Sequence, residues 1–199
     1  MPSIDDPARD VEPRRHHTCP VWVGWLLACP LRRLVENPIT LLGPYVRPGS
    51  TVVDVGAAMG FHSLDLARMV GSSGRVVSLD IQREMLDRLT ERARSKGLDR
   101  IIETRLCSQE SLEIDDLDGE VDLVTAFNVI HETSLPRRFL EQCADALRPG
   151  GHLFIAEPRG HVVDTDFEVT VSTARSFGLS QRPAPHVWRS HSAVLERPR

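Results

Sequence analysis

The sequence predicts a doubly wound α/β domain with a mostly parallel seven-stranded sheet and an antiparallel hairpin at its C-terminal end. Three observations lead there. From Thr51 onward, apolar runs of strand length alternate with amphipathic segments of helix length. The first strand meets the first long helix through a turn of small residues, Gly56-Ala57-Ala58-Met59-Gly60. The last two apolar runs are joined too tightly for a parallel crossover and so must pair antiparallel.

The elements follow in order. Residues 1–18 are polar and carry Pro2, Pro7 and Pro13, the composition of a mobile arm. Cys19 to Val46 is rich in Trp and Leu and broken by Pro20, Pro30, Pro38 and Pro44. Short helices are expected at 31–36 and 38–43, because proline is tolerated at helix starts. Strands are expected at 51–56, 75–80, 101–106, 121–127 and 152–157, with helices at 61–70, 82–96 and 136–147. In the second of these helices Met85, Leu86 and Leu89 mark one apolar face, and Gly97 ends it. Pro149-Gly150-Gly151 makes a sharp turn into the fifth strand. Near-continuous apolar strands separated by helices are buried on both faces, the mark of a parallel sheet. A helix at 165–177 then leads to the hairpin strands, near 181–187 and 190–196. The expected organisation is an arm and cap over 1–44 and a catalytic domain over 45–199.

Composition narrows the function. With 199 residues, one domain is the natural reading. A formal charge of −4 gives no general attraction to nucleic acid or to an anionic membrane. The longest apolar run, Val21 to Leu31, is broken by Gly24 and Pro30 and falls short of the roughly 20 residues a membrane helix needs. Arg14 and Arg15 precede it, but no cleavage site follows, which argues against export. Cys19, Cys29, Cys107 and Cys143 form no CxxC pair, so reduced thiols and a cytoplasmic protein are expected. His16, His17, Cys19 and Cys29 have the chemistry of soft-metal ligands, yet a mobile arm offers no fixed geometry, and no metal is expected.

The chemistry concentrates in Val52-Val53-Asp54-Val55-Gly56-Ala57-Ala58-Met59-Gly60. Gly56 and Gly60 permit close backbone approach by a ligand at a helix N-terminus. Twenty positions after Gly60, Asp80 ends the second strand, where a carboxylate can accept both ribose hydroxyls of a nucleoside. An acid two residues before the first glycine is not the dinucleotide pattern.

On these residues the chain resembles the class I S-adenosylmethionine-dependent methyltransferases, whose first motif is an acid followed by G-x-G-x-G. The resemblance extends over about 45–196, taking in Asp80, Leu147-Arg148-Pro149-Gly150-Gly151 and the terminal hairpin. It implies a Rossmann-like sheet with S-adenosylmethionine as cofactor. Asp54 would face the methionine ammonium through hydrogen bonds, Gly56, Ala58 and Gly60 would bound the cofactor pocket, and Asp80 would hold the ribose. Ile81 would cover the adenine, while Phe127 and Asn128 would sit beside the methionine end. Ala58 stands where the family has a glycine, and its methyl group fits only if φ stays negative. After the third strand the family often has an acid contacting the adenine amine. Here the stretch is Cys107-Ser108-Gln109-Glu110, so Ser108 and Gln109 are the candidates for that contact.

A base is needed only when the nucleophile arrives protonated. The candidate is His131, with Glu132 beside it to orient the ring, in Asn128-Val129-Ile130-His131-Glu132 after the fourth strand. The alternative is that His131 merely starts the next helix. His62 either lines the pocket or lies on a helix surface. His152, His161, His186 and His191 read as surface or strand residues. Trp22, Trp25 and Leu26 either roof the site or pack the core. The expected activity is methyl transfer to a small-molecule acceptor, with no nucleic-acid or membrane partner. Two alternatives stand beside it: a non-catalytic nucleoside-binding protein of the same fold, and a nicotinamide-dependent oxidoreductase.

Overall fold

The strand–helix alternation is present in the computed structural model, which describes residues 37–199. The strands are β1 (Thr51–Val55), β2 (Arg75–Asp80), β3 (Ile102–Leu106), β4 (Val121–Phe127), β5 (Leu147–Pro158), β6 (Ser180–Arg182) and β7 (Ser190–Glu196). The helices are α1 (Pro38–Leu42), α2 (Ser63–Val70), α3 (Arg83–Ser95), α4 (Pro136–Ala146) and α5 (Asp164–Ser176). The expected 31–36 helix, the His16/His17/Cys19/Cys29 group and the Trp22/Trp25/Leu26 roof lie outside the described residues.

The sheet runs β3-β2-β1-β4-β5-β7-β6. β1 to β5 are parallel, and β7 runs antiparallel between β5 and β6. Side-chain alternation along each strand feeds two cores. Val53, Val55, Val77 and Leu79 face α4 and α5 through Phe139, Leu140, Val171 and Ala174. Val52, Val76 and Leu123 face the other way, onto Leu66 and Ala67 of α2 and Leu89 of α3. Burying a side chain of this kind is worth about 1.5–3 kcal/mol, so both layers of helices are held by the same strands.

Two strands depart from the sequence reading, while α1, at the expected place, seats Leu41 and Leu42 in the second core, against α2. Its start is fixed by the Asn37 side chain, which accepts the Ile39 N–H at 3.0 Å, with Pro38 in the first turn. β5 starts at Leu147 rather than at residue 152, so the Pro149-Gly150-Gly151 segment lies inside the strand as a register shift opposite Val121. A Cβ on Gly151 would come within 2.6 Å of the Val121 carbonyl oxygen, which is why glycine stands there. β6 is three residues long, and Pro183 and Pro185 stop its ladder from continuing.

Candidate cofactor pocket and active site

β1 lies between β2 and β4, so the chain leaves its C-terminal end in one direction and returns from the other. That divergence opens a crevice at the carboxyl ends of the strands. A cavity of about 380 Å³ fills it, within the usual range for ligand sites. One side is built from the ends of β2 and β3, the floor from the turn after β1, and the other side from the ends of β4 and β5.

The turn is strained and braced. Gly56 has φ 71°, Gly60 φ 80° and Ala58 φ 46°. The expectation that Ala58 keeps a negative φ is therefore overturned. Its conformation is left-handed despite the methyl group, at a cost of roughly 1–2 kcal/mol. The compensation is a hydrogen bond from the Ala58 N–H to Asp80 Oδ2 at 2.9 Å. The other Asp80 oxygen accepts the Gln82 N–H at 2.8 Å. Asp80 is 7% exposed and lines the cavity. Burial raises its pKa, against the opposing effect of its backbone donors.

Gly56, Ala58, Asp80, Ile81, Ser108, Gln109, Phe127 and Asn128 all line the cavity. Asp54 and Gly60 do not. Asp54 lies buried beneath the turn, its two oxygens accepting the hydroxyls of Ser63 on α2 and Thr125 on β4, the latter at 2.8 Å. A Cβ on Gly60 would collide with Leu89, so its smallness serves the packing of α3 against the turn. Ile81, 36% exposed, offers an apolar face. The Ser108 hydroxyl accepts the N–H groups of Glu110 and Ser111 and so closes its own loop. The Gln109 carbonyl accepts the Thr133 hydroxyl at 3.0 Å, tying the loop after β3 to the loop after β4. Phe127 packs at 4.5 Å from the ring of His62, which is buried and lines the cavity rather than a helix surface. Asn128 adopts φ 55° and donates its N–H to the Ala156 carbonyl at 2.8 Å.

On the β4–β5 side His131 lines the cavity, in a short 3₁₀ turn over Ile130–Glu132 rather than at the start of α4. Its ring is not oriented as expected. The partner of Nδ1 is Glu157 at the end of β5, whereas Glu132 lies 3.9 Å from Nε2. Burial pulls the His131 pKa down, but the hydrogen bond and charge of Glu157, with the charge of Glu132, outweigh it and leave the pKa raised. Glu132 is itself raised, chiefly by burial. His161 is exposed, in keeping with the sequence reading, and also lines the mouth of the cavity, with its ring 5.7 Å from that of His131. His191 lies in β7, in keeping with the sequence reading, and is buried, with Nε2 3.0 Å from the Val162 carbonyl oxygen. Glu157 was missed in sequence; the available signal was an acid closing an apolar strand, HLFIAE, as Asp80 closes β2.

Among the described residues no group of three His, Cys, Asp or Glu side chains is placed to hold a metal. Nor is any helix among them long and apolar enough to cross a membrane.

Comparison with known proteins gives a concordant picture. Residues 47–190 match the family described as a methyltransferase domain. The chain is 31% identical over 129 residues to an uncharacterized 37.1 kDa protein of transposon TN4556 from Streptomyces fradiae, covering 64% of this chain and 36% of that protein. It is 30% identical over 112 residues to the ubiquinone/menaquinone biosynthesis C-methyltransferase UbiE of Hydrogenovibrio crunogenus, covering 56% of this chain and 43% of that one. The chain thus spans less than half the length of these curated relatives. Among solved structures, a SAM dependent methyltransferase from Aquifex aeolicus superposes with a TM-score of 0.78 at 24% identity, covering 90% of this chain and all of that one. A SAM-dependent O-methyltransferase from Thermotoga maritima gives 0.61 at 16%, covering 93% and 68%. At these identities the structural likeness is one of fold.

Proposed function

The chain belongs to the methyltransferase-domain family that residues 47–190 match, and from that premise we propose that it transfers a methyl group from S-adenosylmethionine to a small-molecule acceptor, with His131 as proton acceptor. Family membership makes S-adenosylmethionine the cosubstrate, and the chemistry of the cavity fits it. A carboxylate has about four lone-pair sites. Those on Asp80 are met in part by the backbone N–H groups of Ala58, Gln82 and Ile81, which leaves room for ribose hydroxyls on the cavity side. Ile81 offers an apolar platform beside them, and the Gly56 turn brings backbone close to the ligand without a side chain between. Asp54 acts in this reading through Ser63 and Thr125, holding the turn from below.

The bound cofactor supplies an electrophilic methyl group on a sulfonium whose charge disappears as the methyl leaves. What remains for the protein is positioning, for which well-oriented reactions gain about 7–11 kcal/mol, and a place for the acceptor's proton. The observation that carries the reading is that His131 lines the same cavity as Asp80 and Gly56, on its opposite side. Besides His131 the cavity is lined by Val129, Phe139 and Pro158, which suits an apolar small molecule with one ionisable group. Catalysis is assigned to residues 45–199, with α1 seated on their core and residues 1–44 as cap. The free thiols of Cys107 and Cys143 accord with a cytoplasmic site of action.

The test is incubation with S-adenosylmethionine labelled at the methyl group and a cell extract split into metabolite, protein and nucleic-acid fractions. Label should appear in the metabolite fraction, identified by mass. Label confined to protein or nucleic acid would overturn the small-molecule assignment.

A further inference from the structure

Glu157 is 1% exposed, and a lone carboxylate buried so deeply is costly. Its oxygens are met by three backbone N–H donors and one ring nitrogen. Oε1 accepts the N–H groups of Val129 at 3.1 Å and Ile130 at 2.9 Å, and Oε2 accepts the N–H of His131 at 3.4 Å and pairs with its ring Nδ1. Three backbone donors, all from the segment that carries His131, explain a carboxylate that shapes the loop. They leave the fourth contact unexplained, because an apolar ring of similar size would fill the space without a charge against it. The other groups facing the ring are Glu132, on the side of Nε2, and His161, whose ring stands edge-on at 85°.

We propose that Glu157 is the positioning residue of the base: it fixes His131 with the proton on Nδ1 and the lone pair of Nε2 turned to the acceptor. This rests on the reading of His131 as proton acceptor. As the bond from methyl carbon to acceptor forms, the carbon–sulfur bond breaks and its electron pair stays on sulfur. The acceptor's proton passes to Nε2, giving an imidazolium. The Glu157 carboxylate balances that charge from the opposite side of the ring. The raised pKa of His131 agrees with such a pair.

The experiment is nuclear magnetic resonance of the full chain labelled in histidine, with His131→Asn to assign the signal, on wild type and Glu157→Gln. In the wild type the neutral ring should be the Nδ1–H tautomer, titrating above an ordinary imidazole. In Glu157→Gln the titration should move to lower pH, because the counter-charge is gone while the side-chain shape is kept. A merely structural role would leave the titration in place. An Nε2–H tautomer in the wild type, or an identical titration in the two proteins, would overturn the proposal. Should Glu157→Gln not fold, the wild-type tautomer alone decides. Calorimetry with S-adenosylmethionine on the same samples separates the two readings. Unchanged affinity in Glu157→Gln is expected, whereas no binding by the wild type would sink the proposed function and leave the tautomer result standing.

Discussion

Asp80 Oδ2 accepts the backbone N–H of Ala58 at 2.9 Å, so the carboxylate at the end of β2 braces the turn that forms the floor of the cavity. That bond holds a non-glycine residue at φ 46°. Ala58→Gly would relieve roughly 1–2 kcal/mol of backbone strain while adding about 0.4–1 kcal/mol of unfolded-state entropy. The unfolding free energy should therefore rise by about 0 to 1.6 kcal/mol, with cofactor affinity retained. Gly56→Ala should behave oppositely. It would place a methyl group at φ 71° with its Cβ 3.1 Å from Val129 Cγ2, costing stability and narrowing the cavity. Denaturant melts and cofactor titrations of the two variants check both outcomes. A Gly56→Ala protein as stable as Ala58→Gly would refute the account of the turn.

Asp54 makes a second prediction. Its carboxylate is buried and depends on the hydroxyls of Ser63 and Thr125. Thr125→Val keeps the shape of the strand but leaves one oxygen of a buried acid without that donor, a loss of about 1–3 kcal/mol. Chemical denaturation should show this destabilisation. Unchanged stability would mean that the hydroxyl contributes nothing to holding the acid.

These cases show what the sequence could and could not carry. Strand and helix order was legible because apolar runs and amphipathic segments alternate cleanly after Thr51. The cavity side of β2 was equally legible through Asp80, since a carboxylate ending a strand is read from spacing alone. The φ of Ala58 was not, because it depends on a hydrogen bond across 22 positions. Nor was the partner of His131. Adjacency in sequence favoured Glu132, whereas parallel pairing of β4 with β5 brings Glu157, twenty-six residues away, under the ring. Gly60 looked like a ligand-facing residue because its contact with Leu89 of α3 leaves no local trace.

The base makes a kinetic prediction. Only neutral His131 can accept a proton, and its pKa is raised above the ordinary imidazole value. With an acceptor that arrives protonated, the single-turnover rate should be low at acid pH, rise through that raised pKa and level off above it. The sign for stability is the reverse: the His131–Glu157 pairing contributes fully below the ordinary imidazole pKa and is lost as pH rises through the raised one. His131→Ala should lower the plateau rate about 10²–10⁴-fold, flatten the profile and leave cofactor affinity nearly intact. A wild-type rate in that variant, with a hydroxyl acceptor, would remove His131 from the chemistry.

The account as a whole turns on whether the cavity at the ends of β1, β2 and β4 holds S-adenosylmethionine with Asp80 on the ribose. Isothermal calorimetry of the wild type and of Asp80→Ala, each checked for folding by circular dichroism, measures this directly. The wild type should bind one equivalent. The variant should bind about ten- to a hundredfold more weakly, the loss expected when charge-assisted hydrogen bonds worth roughly 1.5–3 kcal/mol are removed. No saturable binding by the wild type, or equal affinity in a folded Asp80→Ala protein, would contradict it.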